Sequence, residues 1–307
     1  MGSKSFFNLP EATLRETDGV KHRSLAACGQ HSVGSNWYTC EEQSMNKQSL
    51  IDVFAGTAPV IRESQFLSQE ECAKMVKVLT AHKLGVYNLN HVWPKVGRVG
   101  ISQTDFVHDK QGYFNAVGEA RSLLNKWNDN LGIDVIDRVM QSLKAASGME
   151  VRATREDEKE YFVGVVRAID AGIQIHADFA PFEGRGWEIG RIAAQISWNI
   201  LLNPIPGGDT FIYDRQWQAP EDDLTYRKDF PKYAYDPRII DGRVVKVMKP
   251  VPGDLYWFNP RHFHEVRACD ISKDSTEQVI PTRYTISSFA GFVPAHGSEP
   301  DTIIMWS

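Results

Sequence analysis

His176 and Asp178 stand two residues apart in the apolar run IQIHADFAPFEGRG, residues 173–186. In a strand, residues two apart share a face, so an imidazole nitrogen and a carboxylate oxygen can reach one point. That is the geometry of a metal site. A second pair, His262 and His264, ends the hydrophobic segment GDLYWFNPRHFHEVRACD. Strand alternation gives these two a common face as well, so either can supply a further imidazole. Two imidazoles and one carboxylate on one face of a metal such as Fe(II) leave three positions open, where a co-substrate and oxygen can bind. A third segment, PTRYTISSF, sets Arg283 in an apolar strand with Thr285 two residues on. A buried arginine is costly unless it is paired, and its planar fork matches a carboxylate. The sequence offers no evident permanent partner, so a ligand's carboxylate is expected there, the plain alternative being a rim ion pair with the acidic loop Cys269–Gln278.

These residues need strands to hold them. From Glu160 onward the segments EYFVGVVRAI, GIQIHADF, RIAAQISWNILLN, DTFIYD, GRVVKVMKPV, GDLYWFN and RYTISSFAGFV alternate with Gly, Pro and Asp breaks, which reads as a sheet. Three helices are expected before it. Ser68 and Glu71 form a capping box that starts one near Gln69, with Met75, Val78, Leu79 and His82 on one face. Phe114, Val117, Ala120, Leu123, Leu124 and Trp127 mark a second, and Ile136, Val139, Met140 and Leu143 a third that ends before Gly148. Helices first and strands after, without βα alternation, predict an α+β chain with helices packed on an antiparallel double sheet.

Residues 1–50 read as a polar N-terminal arm, and 51–307 as one domain: helical support at about 66–148, a sheet core at about 159–294, and an insert at about 213–242. That insert is too long for an ordinary connection and carries Trp217, Tyr226, Phe230, Tyr233 and Tyr235, which suits a lid. Trp187, Trp198, Trp217 and Trp257 are expected in the core or the lid, and His91, His108 and Arg98 in a solvated loop.

Composition narrows the partner. A net charge of −5 without a basic block argues against nucleic acid or an anionic membrane, leaving a small molecule. The four cysteines show no CxxC spacing and are expected reduced, and no segment reads as a leader or a membrane span, so a cytoplasmic protein of unspecified oligomeric state is expected.

Taken in order, HxD at His176 and Asp178, GGDTFIY at 207–213, GDLYWFNPRHFHEV at 253–266 and TRYTISSF at 282–289 resemble the 2-oxoglutarate- and Fe(II)-dependent dioxygenases, closest to their prolyl-4-hydroxylase-like branch, with FLSQEEC at 66–72 similar to the start of its helical support. The resemblance implies a double-stranded β-helix, or cupin-like jelly roll. It implies that His176, Asp178 and His264 hold the iron, His264 being favoured over His262 because Glu265 and Val266 follow it. Arg283 would bind the far carboxylate of 2-oxoglutarate, and Thr285 would stand beside it as a hydroxyl partner. The implied activity is oxidation of a substrate C–H bond, by hydroxylation, desaturation or cyclisation, with O2 consumed and succinate and carbon dioxide released. Halogenating relatives carry a small residue in place of the carboxylate, so Asp178 disfavours halogenation. A free amino acid or a specialised metabolite is the expected substrate; a peptidyl prolyl hydroxylase with an open groove and a non-catalytic jelly-roll binding module are the rival readings.

Overall fold

The structure is a computed structural model that describes residues 35–87, 95–227, 233–270 and 282–307. His91, Phe230, most of the polar arm and most of the loop before Arg283 lie outside the described residues.

Three of the expected helical stretches are present, one of them in two pieces. The Ser68 hydroxyl accepts from the Glu71 amide at 3.1 Å and the Glu71 carboxylate from the Ser68 amide at 2.8 Å, which starts α2 (Gln69–Thr80) at the expected residue. The second helix divides at Arg121 into α3 (Lys110–Ala120) and α4 (Ser122–Leu131), where Arg121 reaches across to the Glu160 carboxylate and the Tyr161 carbonyl. Helix α5 (Val135–Ser147) stops at Gly148 in the left-handed region. One helix was not expected. α1 (Lys47–Ala55) straddles the end of the polar arm, capped by Asn46, and buries Leu50, Val53 and Phe54. A short α6 (Ala180–Glu183) follows Asp178.

Among the described residues fifteen strands follow the chain: β1 (Ile61–Glu63), β2 (Gly85–Val86), β3 (Gly97–Val99), β4 (Glu150–Ala153), β5 (Arg155–Glu156), β6 (Lys159–Glu160), β7 (Val165–Ala168) and β8 (Ile173–His176), then β9 (Ala194–Leu201), β10 (Thr210–Gln216), β11 (Val245–Met248), β12 (Leu255–Phe258), β13 (His262–Val266), β14 (Tyr284–Val293) and β15 (Thr302–Trp306). A nine-stranded sheet runs β1-β12-β9-β14-β7-β3-β2, with β15 joined to β14 and β4. It faces a four-stranded sheet, β11-β10-β13-β8. All pairs are antiparallel except β15 with β4. This is the double-stranded β-helix with helices on one sheet.

Side-chain alternation assigns the faces of the large sheet. On β9, Ile196, Trp198 and Ile200 join the core with α1, α2, α4 and α5, while Ser197, Asn199 and Leu201 face an internal cavity. On β12, Leu255 and Trp257 take the helical side, and Tyr256 and Phe258 the cavity side. On the small sheet, Ile175 and Phe263 point away from the cavity into a cluster with Trp217, Tyr235 and Ile239 of the insert. The insert is therefore anchored on the outer face of that sheet. Trp187, Trp198, Trp217 and Trp257 are all buried, and none lines the cavity.

Candidate metal centre and its cavity

His176 and His264 are direct cross-strand partners on β8 and β13, which is how residues far apart in the chain come to share one point. Their ring centroids lie 4.1 Å apart. Asp178 comes just past the end of β8, where its amide donates to the Pro260 carbonyl at 2.9 Å. From there its Oδ2 stands 3.9 Å from His176 Nε2 and 3.8 Å from His264 Nε2. Among the described residues, these three form the one group of His, Cys, Asp or Glu side chains whose candidate ligand atoms all lie within 4.8 Å.

Each imidazole is held in the tautomer that a metal needs. His176 Nδ1 lies 2.7 Å from the Gln174 carbonyl and His264 Nδ1 2.9 Å from the His262 carbonyl. A carbonyl only accepts, so Nδ1 carries the proton and Nε2 presents a lone pair to Asp178. Burial, first of all, lowers the proton affinity of His176 to about 4 and of His264 to about 3, the neighbouring His176 adding to the latter. Both rings are neutral at physiological pH. Burial raises the proton affinity of Asp178, against which the His264 ring works, so an uncompensated carboxylate is held ready for a cation. Two neutral nitrogens and one carboxylate oxygen, open on one side, suit Fe(II).

That open side is a cavity of about 230 Å³ lined by His176, Asp178 and His264, and by Arg283 and Thr285 from β14 and the strand's entry. Arg283 is 4% exposed, its Nε has no hydrogen-bond partner, and among the described residues its guanidinium has no ion pair. Burial pulls its proton affinity down. Gly208 makes room for it: at φ +73°, a Cβ there would stand 2.7 Å from Arg283 Nε. An unpartnered buried guanidinium beside a buried threonine hydroxyl suits the carboxylate of a bound molecule.

His262 goes elsewhere. Its Nδ1 takes up the Tyr213 carbonyl at 2.9 Å, its ring lies 5.6 Å from that of Trp37, and it does not line the cavity. The pairing of β10 with β13 steps from Ile212 opposite His264 to Gln216 opposite His262, an irregularity that simple alternation does not anticipate. Arg98 is not loosely solvated either, since it pairs with Asp105 and lies over the Tyr87 ring at the cavity edge. Sequence reasoning passed over Arg167 and Glu183, which also line the cavity. Arg167 sits on β7 opposite Thr285, so strand register was the signal available for it.

Comparison with known proteins follows the same line. The chain is 43% identical over 218 residues to the leucinostatins biosynthesis cluster protein S of Purpureocillium lilacinum, covering 70% of this chain and 87% of the relative. It is 23% identical to the L-gamma-glutamyl-L-propargylglycine hydroxylase of Streptantibioticus cattleyicolor, over 74% of this chain and 84% of the relative. Among solved structures, an N-substituted L-amino acid dioxygenase from Burkholderia ambifaria in complex with alpha-KG shares the fold, with a TM-score of 0.50 at 14% identity, covering 84% of this chain and 90% of that one. Residues 38–307 match the family described as the carrier-protein-independent halogenase WelO5; the chain belongs to that family and is an Fe(II)- and 2-oxoglutarate-dependent oxygenase.

Proposed function

We propose that His176, Asp178 and His264 hold the iron, that Arg283 and Thr285 hold the far carboxylate of 2-oxoglutarate, and that the enzyme oxidises a C–H bond of a small amino acid or specialised metabolite. The observation that carries this is the open face of the three side chains, turned into a cavity that also contains a buried guanidinium with no ion pair among the described residues. When bound, iron with 2-oxoglutarate supplies oxidation by O2, with succinate and carbon dioxide as by-products. The chain's own residues do the rest. The Gln174 and His262 carbonyls fix the two rings, Arg283 and Thr285 orient the co-substrate, and the apolar walls from Phe258, Phe289 and Leu201 exclude water from the reacting carbon.

Asp178 supports hydroxylation or a related oxidation over halogenation. In the halogenating branch a small residue leaves a place for chloride at the metal, whereas here a carboxylate reaches within 4 Å of both imidazoles. The Streptantibioticus relative, an L-gamma-glutamyl-L-propargylglycine hydroxylase, agrees with an amino-acid-like substrate. In this reading the insert closes one side of the cavity with Tyr233, as part of one domain spanning 51–307. Among the described residues no helix is long and apolar enough to cross a membrane, and Cys40, Cys72 and Cys269 are free; a cytoplasmic enzyme that binds no nucleic acid belongs to the same proposal.

The test is turnover of an amino-acid and metabolite panel, with chloride present, by the protein loaded with Fe(II) and 2-oxoglutarate. Substrate-dependent succinate release with an oxygenated or dehydrogenated product is expected. A chlorinated main product would overturn the oxidation reading, and failure to form the anaerobic Fe(II)–2-oxoglutarate absorption band would overturn the site assignment.

A further inference from the structure

Two side chains of the cavity wall take no part in holding iron or 2-oxoglutarate as proposed. Glu183 closes α6, the single turn that follows Asp178, and Tyr233 enters from the insert. The Tyr233 ring lies against His176, with centroids 4.7 Å apart and planes tilted by 52°. Glu183 is half-buried, and its carboxylate, beside the Phe179 amide, makes no ion pair with any described residue. Arg227, whose charge bears on it, lies 3.9 Å from Asp223 and over the Tyr235 ring at 5.3 Å.

A carboxylate taken from water without a cationic partner is costly, and the cost falls when a cation arrives. Consistent with that, burial and then the Asp178 charge hold the Glu183 carboxyl up to about 8. An aromatic face beside a carboxylate is a receptor for an ammonium group: the carboxylate supplies a charge-assisted hydrogen bond and the ring supplies cation–π attraction. The other described charges that line this cavity are accounted for. Asp105 pairs with Arg98, Arg283 is assigned to the co-substrate, and Arg167 is held by the Tyr87 and Ser287 hydroxyls. Arg167 has no carboxylate partner among the described residues, so a substrate with both an amine and a carboxylate would meet both signs of charge.

We propose that Glu183 and Tyr233 form a specificity subsite that takes a cationic amine of the substrate beside the metal centre. This rests on the reading of the cavity as the active site. The subsite selects a primary or secondary amine, protonated when bound, and rejects the same molecule once the nitrogen is acylated.

The experiment uses the full chain loaded anaerobically with Fe(II) and 2-oxoglutarate. Proteinogenic L-amino acids, simple alkylamines, the N-acetyl counterpart of each, and neutral and purely anionic metabolites are titrated by calorimetry, then assayed for succinate release in air. Amines are expected to be the binders. N-Acetylation should weaken binding roughly 10- to 100-fold, the worth of one charge-assisted hydrogen bond. Glu183→Gln should weaken the same amine by a similar factor, as a rise in KM, while keeping its iron content and the Fe(II)–2-oxoglutarate band. Tyr233→Phe should retain amine binding and Tyr233→Leu should lose part of it. Equal affinity for an amine and its N-acetyl form, unchanged affinity in Glu183→Gln, or binders confined to molecules without an amine would each overturn the subsite. Absence of the Fe(II)–2-oxoglutarate band in the unmodified protein would instead strike at the active-site reading on which it rests.

Discussion

The four-stranded sheet carries buried charge on both of its faces, and the two sets are treated oppositely. On the outer face, beneath the insert, the described buried charges have hydrogen-bonding partners. Arg215 pairs with Asp222, whose Oδ2 accepts from the Gln218 amide at 2.7 Å, and Arg261 donates twice to the Trp217 carbonyl at 3.0 Å. On the inner face, Asp178 stands between two neutral imidazoles, and across the cavity, at the entry of β14 in the large sheet, the Arg283 Nε has no partner among the described residues. A folding chain gains nothing from the second arrangement, because unpaired buried charge is penalised and paired charge only partly compensated. The difference separates groups that fasten the insert from groups that await a ligand.

The comparison breaks most easily by removing inner-face groups. His176→Ala, Asp178→Ala and His264→Ala should each lose iron and activity completely, with an apoprotein melting temperature equal to or above that of the parent, because each deletion relieves desolvated polarity. His262→Ala should keep its iron, since its ring is taken up by Tyr213 and Trp37. Metal content and thermal melting of the four variants decide the matter. A strongly destabilised Asp178→Ala apoprotein would make that carboxylate part of the scaffold.

Asp222→Ala should do the reverse. It strands Arg215, 9% exposed in its side chain, without its carboxylate, and breaking such a buried pair costs about 3–5 kcal/mol. Urea unfolding should show that loss while the folded fraction still takes up iron. Unchanged stability would mean that the pairing on the outer face contributes nothing.

Arg283→Ala sharpens the comparison more gently. Loss of charged hydrogen bonds to the co-substrate should weaken 2-oxoglutarate by about 1.5–3 kcal/mol, roughly 10- to 100-fold, read from the anaerobic absorption band. Gly208→Ala should shift the same titration in the same direction by less, since its Cβ would displace the guanidinium rather than remove it. An unchanged constant in Arg283→Ala would return that residue to a structural role.

Much of this was readable from residue spacing because strand alternation governs both sheets. The pair His176 and Asp178 and the seven β segments behind the sheet reading rest on it, while the insert was marked by its length and aromatic content. Alternation fails where register is irregular. By alternation alone His262 and His264 are indistinguishable, and the step in the pairing of β10 with β13 accompanies their different surroundings. Helix α1 escaped because a nine-residue segment with Lys47, Gln48, Ser49 and Asp52 looks polar, although its buried Leu50, Val53 and Phe54 close the core against β9 and β12. Strand β15 escaped because its five residues, TIIMW, are buried on both faces and show no polar–apolar alternation. Glu183 carried no local signal, since its placement depends on how the turn after Asp178 packs.

The smallest expected effect lies away from both faces, in the support that holds α2 to α5, and it calibrates what an ordinary satisfied charge contributes here. Glu71 caps α2 through the Ser68 amide and pairs with Arg138 of α5 at 2.8 Å. Its hydrogen bond with Arg138, ahead of the Ser68 contribution, draws its carboxyl down to about 2 from an ordinary 4.5. A carboxyl with a depressed folded-state value stabilises fully above its unfolded value and ceases to do so as pH falls through the folded one. The Glu71 contribution is therefore present above pH 4.5 and disappears towards pH 2. Arg138 is more than a third exposed, so screening limits the pair, and cap and pair together should amount to about 1 kcal/mol. Glu71→Gln should lose that amount at pH 7 in urea unfolding and show a flatter decline of stability between pH 4.5 and 2 than the parent. Parallel curves in that window would mean that Glu71 has the same proton affinity folded and unfolded.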